Sequence, residues 1–151
     1  GYPAFVIRKE NEMTMNMALR NYQKTKVETA DTLSLVIMCY DAAIRDLKEA
    51  KSLHEKQAME ETYIKIRHAQ DLITELLVGL DYERGGQISH NLSRVYNFVL
   101  RQLIGINSRQ DTRTYDHLIN ILNELKDAWQ QVRAQPGMAQ FSSVQSAGIS
   151  T

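Results

Sequence analysis

The sequence predicts an all-α protein: an antiparallel up-down four-helix bundle with an N-terminal arm and a flexible C-terminal tail. Four segments carry apolar residues spaced alternately three and four apart, the repeat that places them on one face of a helix. The links between those segments are short, which favours antiparallel neighbours. The 151-residue chain holds only two prolines and seven glycines, the residues that interrupt helices.

The first helix is predicted from the stripe Leu33, Val36, Ile37, Tyr40, Ala43, Ile44 and Leu47. Asp31 precedes it and can cap it by accepting bonds from free backbone amides. The second carries Met59, Tyr63, Ile66, Ala69, Ile73, Leu76, Leu77 and Leu80, and the link before it is Lys56-Gln57. Residues 81–87 lead to the third, with Ile88, Leu92, Val95, Tyr96, Val99, Leu103 and Ile106. There the double glycine Gly85-Gly86 relaxes the limits a Cβ imposes and lets the chain turn after a charged segment. Residues 107–112 lead to the fourth, with Tyr115, Leu118, Leu122, Leu125, Trp129 and Val132. Trp129 is expected between helices. No period-two alternation supports a sheet. Burial along such seams, at roughly 25 cal/mol per Å² of apolar surface, is expected to dominate stability.

The ends differ from this body. Residues 1–17 read as an N-terminal extension and 18–135 as the bundle domain. Met13, Met15 and Met17 are each candidate native starts, and residues 1–12 then read as vector-derived. Pro136-Gly137 ends the fourth helix, and the Ser-, Gln- and Ala-rich residues 136–151 read as a flexible tail unless something holds them.

Bulk numbers narrow the function. Lys plus Arg and Asp plus Glu are each 18, for a formal net charge of zero, and nucleic-acid binding usually needs a basic patch. No apolar run reaches membrane-spanning length, and the run from Tyr2 to Ile7 is too short for a secretory core. The lone Cys39 forms no internal disulfide, which suits a reducing cytoplasm. Cys39 reads as a buried inert thiol. The histidines His54, His68, His90 and His117 lack a Glu three residues upstream, so no di-iron carboxylate motif exists; they read as solvated. Gly85-Gly86 lacks the Lys-Ser or Lys-Thr of a phosphate loop. The charges of residues 45–51 and Glu60-Glu61 read as solvated faces with pairs four apart. The expectation is a binding protein without cofactor, metal or catalysis.

A surface for binding is suggested by the first helix. Beside its core stripe lies a second one, Leu35, Met38, Cys39 and Ala42. An all-round apolar helix is buried on more than one side. This stripe either packs against a neighbouring helix or the N-terminal arm, or forms a groove for a partner's amphipathic helix. Both hold if the arm covers the groove and a partner displaces it; Leu19 and Tyr22 are the arm's candidate anchors. The second candidate groove lies beside Ile88, Leu92 and Tyr96.

The ordered set Gly79-Leu80-Asp81, Gly85-Gly86-x-Ile88, Asn91-Leu92, Tyr96-x-Phe98, Arg101, Leu103, Asn107, Asp111 and Ala128-Trp129 resembles the FliS family of flagellin export chaperones. Tyr22 before Val27 and Ala30 also fits that pattern, and the resemblance covers roughly residues 19–132. The chain departs from it at Ala18 and Thr32, where prolines are usual, and at Ala42, where glycine is usual. The resemblance implies a cytoplasmic chaperone that binds the C-terminal helical segment of flagellin, prevents premature polymerisation and delivers it to the type III export gate. It also implies an arm that covers part of the client site. A helical adaptor for another amphipathic segment, such as a flagellar regulator or co-chaperone, is the alternative. Neither nucleic acid nor direct membrane insertion is expected, and monomer and homodimer both remain open.

Overall fold

In the computed structural model, residues 32–109, 111–134 and the pair 144–145 are described. The expectations for residues 1–17, for Leu19, Tyr22 and the Asp31 cap, and for most of the tail fall outside them. Among the described residues five helices follow in order: α1 (Thr32–Glu55), α2 (Met59–Val78), the single turn α3 (Tyr82–Gly85), α4 (Gln87–Ile104) and α5 (Arg113–Ala134). The predicted four long helices are all present. The predicted link of residues 81–87 contains α3.

Helix α1 packs against both α2 and α5, and α2 packs against α4. Pairing residues show the directions. Asp46 faces His68 and Glu49 faces Lys65, so the numbers run oppositely along α1 and α2. Likewise Lys51 bonds Asp116 while Asp41 bonds Lys126, so α1 and α5 are antiparallel. The charged cluster of residues 45–51 therefore pairs across helices, where the sequence suggested pairs within one helix. Exposed pairs of this kind contribute little to stability, about 0–1 kcal/mol each.

Between the helices lies one apolar core, and the first helix's predicted stripe is buried throughout. Tyr40, Ile73, Tyr96, Leu118 and Leu122 are fully enclosed. Trp129 is 6% exposed, as its stripe predicts. Tyr63 and Ile88 are the exceptions: both stay substantially exposed although their spacing fits a core stripe. A helical repeat marks a side of the helix, and near its ends that side outruns the neighbour that covers it.

The turn after α1 is closed by its own backbone. Gln57 N–H donates to the His54 carbonyl and Ala58 N–H to the Leu53 carbonyl, both at 2.9 Å. This pair of bonds is a Schellman cap, and it puts Gln57 at φ 61°, a conformation glycine usually takes.

The corner after α2 is built differently. Asp81 caps α3, its carboxylate accepting from Arg84 N–H at 2.9 Å. Gly86, at φ 51°, turns the chain into α4. Gly85 serves another purpose: a Cβ there would lie 1.9 Å from Ser89 Oγ and 3.0 Å from Val144 Cγ1. Its missing side chain lets Ser89 Oγ donate to the Asp81 carbonyl at 2.7 Å. At the other end of the molecule, the Asp111 carboxylate accepts from Arg113 N–H at 2.7 Å and so starts α5. Bonds from Arg113 and its positive charge hold the Asp111 carboxyl below its ordinary range.

Val144 and Gln145, from the segment expected to be flexible, are buried against the α2–α3 corner. The Val144 carbonyl accepts from Asp81 N–H at 3.1 Å, and Gln145 forms an isolated antiparallel bridge with Leu80.

Candidate functional site

The candidate binding surface is an open groove between α4 and α5. Arg94, Val95 and Phe98 line it from α4; Ile121, Glu124 and Leu125 line it from α5. Its volume is about 430 Å³. The spacing of these residues along each helix explains the groove. On α4, Val95 and Phe98 lie beside the buried row Leu92, Tyr96 and Val99. On α5, Ile121 and Leu125 lie beside Leu118, Leu122 and Trp129. The inner rows fill the core, and the outer rows rest half-buried against it. Phe98 also meets the His117 ring edge-on, with centroids 6.0 Å apart. Ile88 lies seven residues before Val95, hence on the same side of α4, and is 41% exposed. Arg94 and Glu124 put one charge of each sign on the rim.

Behind the groove runs a chain of buried hydrogen bonds that fixes the positions of α4 and α5. Trp129 Nε1–H donates to Tyr40 Oη at 3.1 Å. Tyr96 Oη–H donates to Gln145 Oε1 at 2.6 Å. The bond between the Tyr40 and Tyr96 hydroxyls must therefore run from Tyr40 to Tyr96, since Tyr96 has one proton to give. Gln145 Nε2–H completes the series by donating to the Leu76 carbonyl at 2.8 Å. Burial pushes both phenols well above their ordinary range, so they stay neutral donors. Fully satisfied buried polar chains of this kind specify one packing arrangement, because any slip leaves a buried group unpaired.

The residues singled out in the sequence fall in different places. Leu35 and Cys39 are buried in the core, and Met38 and Ala42 are half-buried against it. The second stripe is therefore no open row; a partner reaches it only by displacing what packs there. Burial, followed by the Glu75 charge on α2, pushes the Cys39 thiol up to about 12, which leaves it unreactive. Leu92 and Tyr96 are also core residues, so of the second candidate set only Ile88 is accessible. Leu92 and Tyr96 share a side of α4 with the residues that meet α1 and α2, and that packing closes over them. Gly85 and Gly86 lie at the corner before α4, and Trp129 is buried. Leu19 and Tyr22 lie outside the described residues.

His54 departs from the solvated reading: it is 2% exposed, and its Nδ1 lies 2.9 Å from Tyr115 Oη. Burial raises that phenol to about 12, with the Tyr63 hydroxyl adding to the effect. Asp46 is raised to about 6, mainly by burial that Lys65 only partly offsets. His68 beside it is lowered by burial and by Lys65. No group of His, Cys, Asp and Glu among the described residues could hold a metal ion. Among the described residues, no helix is long and apolar enough to cross a membrane.

Sequence reasoning puts Val95 and Leu125 of the outer rows on the core stripes, and misses Phe98, Ile121 and the two tail residues as site residues. The rows had a usable signal: α4 and α5 each carry the doubled stripe that was recognised only on α1. Val144 and Gln145 had none, because two residues form no repeat.

The fold and surface define a class of protein: an all-α bundle with an open, largely apolar groove between two of its helices. The sequence model of the family "Flagellar protein FliS" matches residues 15–136. The chain belongs to the FliS family of flagellar proteins. It is 30% identical over 122 residues to the flagellar secretion chaperone FliS of Vibrio cholerae, covering 78% of this chain and 90% of that protein. Against the flagellar secretion chaperone FliSB of Pseudomonas aeruginosa it is 29% identical over 116 residues, covering 74% and 92%. The FliS of Campylobacter jejuni is 26% identical over 128 residues, covering 85% of this chain and all of that protein.

Proposed function

We propose that this chain is a cytoplasmic export chaperone that binds the C-terminal helical segment of flagellin. By covering the apolar face of that segment it prevents premature polymerisation, and it delivers the segment to the flagellar type III export apparatus. The observation that carries the reading is the family match over residues 15–136, which takes in every helix of the bundle. The α4–α5 groove supplies the chemistry. Val95, Phe98, Ile121 and Leu125 offer an apolar floor for residues three and four apart on a client helix, and Arg94 and Glu124 orient it. The arm anchors Leu19 and Tyr22, with Leu35, Met38, Cys39 and Ala42, are assigned to a second contact that opens when the arm moves. Binding needs no nucleotide: the bound state is favoured by its own contacts, and a competing receptor or filament end releases the client.

Calorimetry against the C-terminal segment of flagellin from the same organism tests this. A client that folds as it buries apolar area should show favourable enthalpy, unfavourable entropy and a large negative heat-capacity change. Phe98→Asp should weaken binding by more than about tenfold while the helical signal stays at wild-type level, because it sets a charge into the apolar groove floor that a client would have to desolvate. Absence of binding by the unaltered chain would overturn the chaperone reading. Normal binding by the folded variant would move the client away from this groove.

A further inference from the structure

The α2–α3–α4 corner has a second constellation, independent of the flagellin reading. The Leu76 carbonyl is one of the last four of α2, which no amide of the helix itself can satisfy. The Leu80 amide, four residues on, bonds to Leu77 instead. Close by, the Tyr96 hydroxyl has accepted its bond from Tyr40 and directs its proton into the same space. One buried acceptor and one buried donor thus face a single point. A primary carboxamide is the side-chain group that answers both, and Gln145 does so at 2.8 and 2.6 Å. Beside it, Asp81 N–H takes the carbonyl of the preceding residue, and the space left by Gly85 admits that residue's Val144 side chain. Both residues are almost fully enclosed, at 3% and 1% exposure.

We propose that this corner is a recognition slot for an extended peptide bearing an aliphatic residue followed by glutamine. Val144–Gln145 fills it in cis, and an extended segment of a partner protein with the same pair fills it when the tail is displaced. The chemistry sets the selectivity. Glutamate would turn an acceptor toward the Leu76 carbonyl and bury a charge; leucine would leave both the carbonyl and the Tyr96 hydroxyl unpaired. A larger residue at Gly85 would close the aliphatic part of the slot. The occupant is a segment of this chain, which shows the site's shape and also its competitor. Because the occupant belongs to the same chain, the covalent link acts as an effective concentration on the order of millimolar, so even a weak slot is filled in cis. A partner then wins only by adding contacts elsewhere on the bundle, which makes the slot a check on whether the rest of the partner is engaged.

The test uses the full chain carrying Val144→Ser and Gln145→Ala, isotope-labelled, and a synthetic peptide with the sequence of residues 141–147. The peptide should shift the Asp81 amide resonance of this variant at concentrations at least about tenfold lower than are needed for the unaltered chain. The same peptide with glutamate in place of glutamine should shift nothing. No shift in the folded variant, or equal effects of the two peptides, would overturn the proposal. Should the variant fail to fold, amide exchange of the unaltered chain decides. A releasable tail lets the Asp81 amide exchange at least about tenfold faster than the Ile73 amide in the body of α2. Exchange of both only through global unfolding would show that the tail is fixed core and overturn the proposal.

Discussion

The two ends of α2 turn the chain in opposite ways. Before α2, residues 56–58 reverse direction with two backbone bonds to residues three and five back. After α2, the corner from Gly79 to Gly86 rests on groups outside itself: Ser89 and Tyr96 of α4, and Val144 and Gln145 far along the chain. The first turn forms wherever its own residues lie in space. The second takes its shape only when α4 and the tail have arrived. The first joins helices that stay packed. The second is held by contacts from α4 and from Val144 and Gln145.

The largest expected effect comes from opening the core itself. Trp129→Ala deletes the donor that starts the buried series and opens a cavity against α1. It should cost about 3–5 kcal/mol, measured by urea denaturation. A native emission maximum typical of a water-exposed indole in the unaltered protein would contradict the burial on which this rests.

Gly85→Ala separates the two turns. The new Cβ displaces Ser89 Oγ from the Asp81 carbonyl and presses on Val144. The expected cost is about 1–2 kcal/mol, with faster exchange of the Asp81 amide and no change in the α1–α2 turn. Equal stability and exchange would show that the corner does not need the close approach.

Asp46→Asn probes the hairpin side. A carboxyl whose folded value is raised to about 6 costs stability when ionised. That cost is absent below the ordinary carboxylate range, grows as the pH rises toward about 6, and is complete above it. The variant should therefore gain about 1–2 kcal/mol at neutral pH, allowing for solvent screening, and nothing near pH 4. Denaturation midpoints at the two pH values check the sign.

The smallest effect is expected at Gln57. Glycine accepts its positive φ without the Cβ clash, so Gln57→Gly should raise stability by about 0.5–1 kcal/mol. Asp81 exchange should not change, since that turn draws nothing from the distant corner.

Much of this molecule follows from local pattern. Three-and-four spacing located all four long helices, and the short links located their turns. Residue order alone placed Leu33, Val36, Tyr40 and Leu47 inside and Trp129 between helices. The pattern says less about which rows a neighbour covers. Leu35 and Cys39, whose stripe read either as core or as a groove for a partner, are enclosed, whereas Phe98 and Ile121 line the open groove. Periodicity gives the side of a helix that is apolar. How far that side is covered depends on how closely the next helix approaches, and α4 and α5 leave a gap.

By itself the sequence determined the helices, their order, the core stripe of each and the family, because these rest on contacts a few residues apart or on an ordered set of motifs. Only the tertiary structure decided that Tyr40, Tyr96 and Trp129 share one series of hydrogen bonds, that His54 lies inside, and that Gly85 makes room for Ser89 and Val144. It also decided that Gln145, in a segment whose composition points to a flexible tail, bonds the Leu76 carbonyl near the end of α2. A single buried carboxamide has no repeat and no local partner. Its place is set by a donor and an acceptor that come within reach of each other only after the helices have packed.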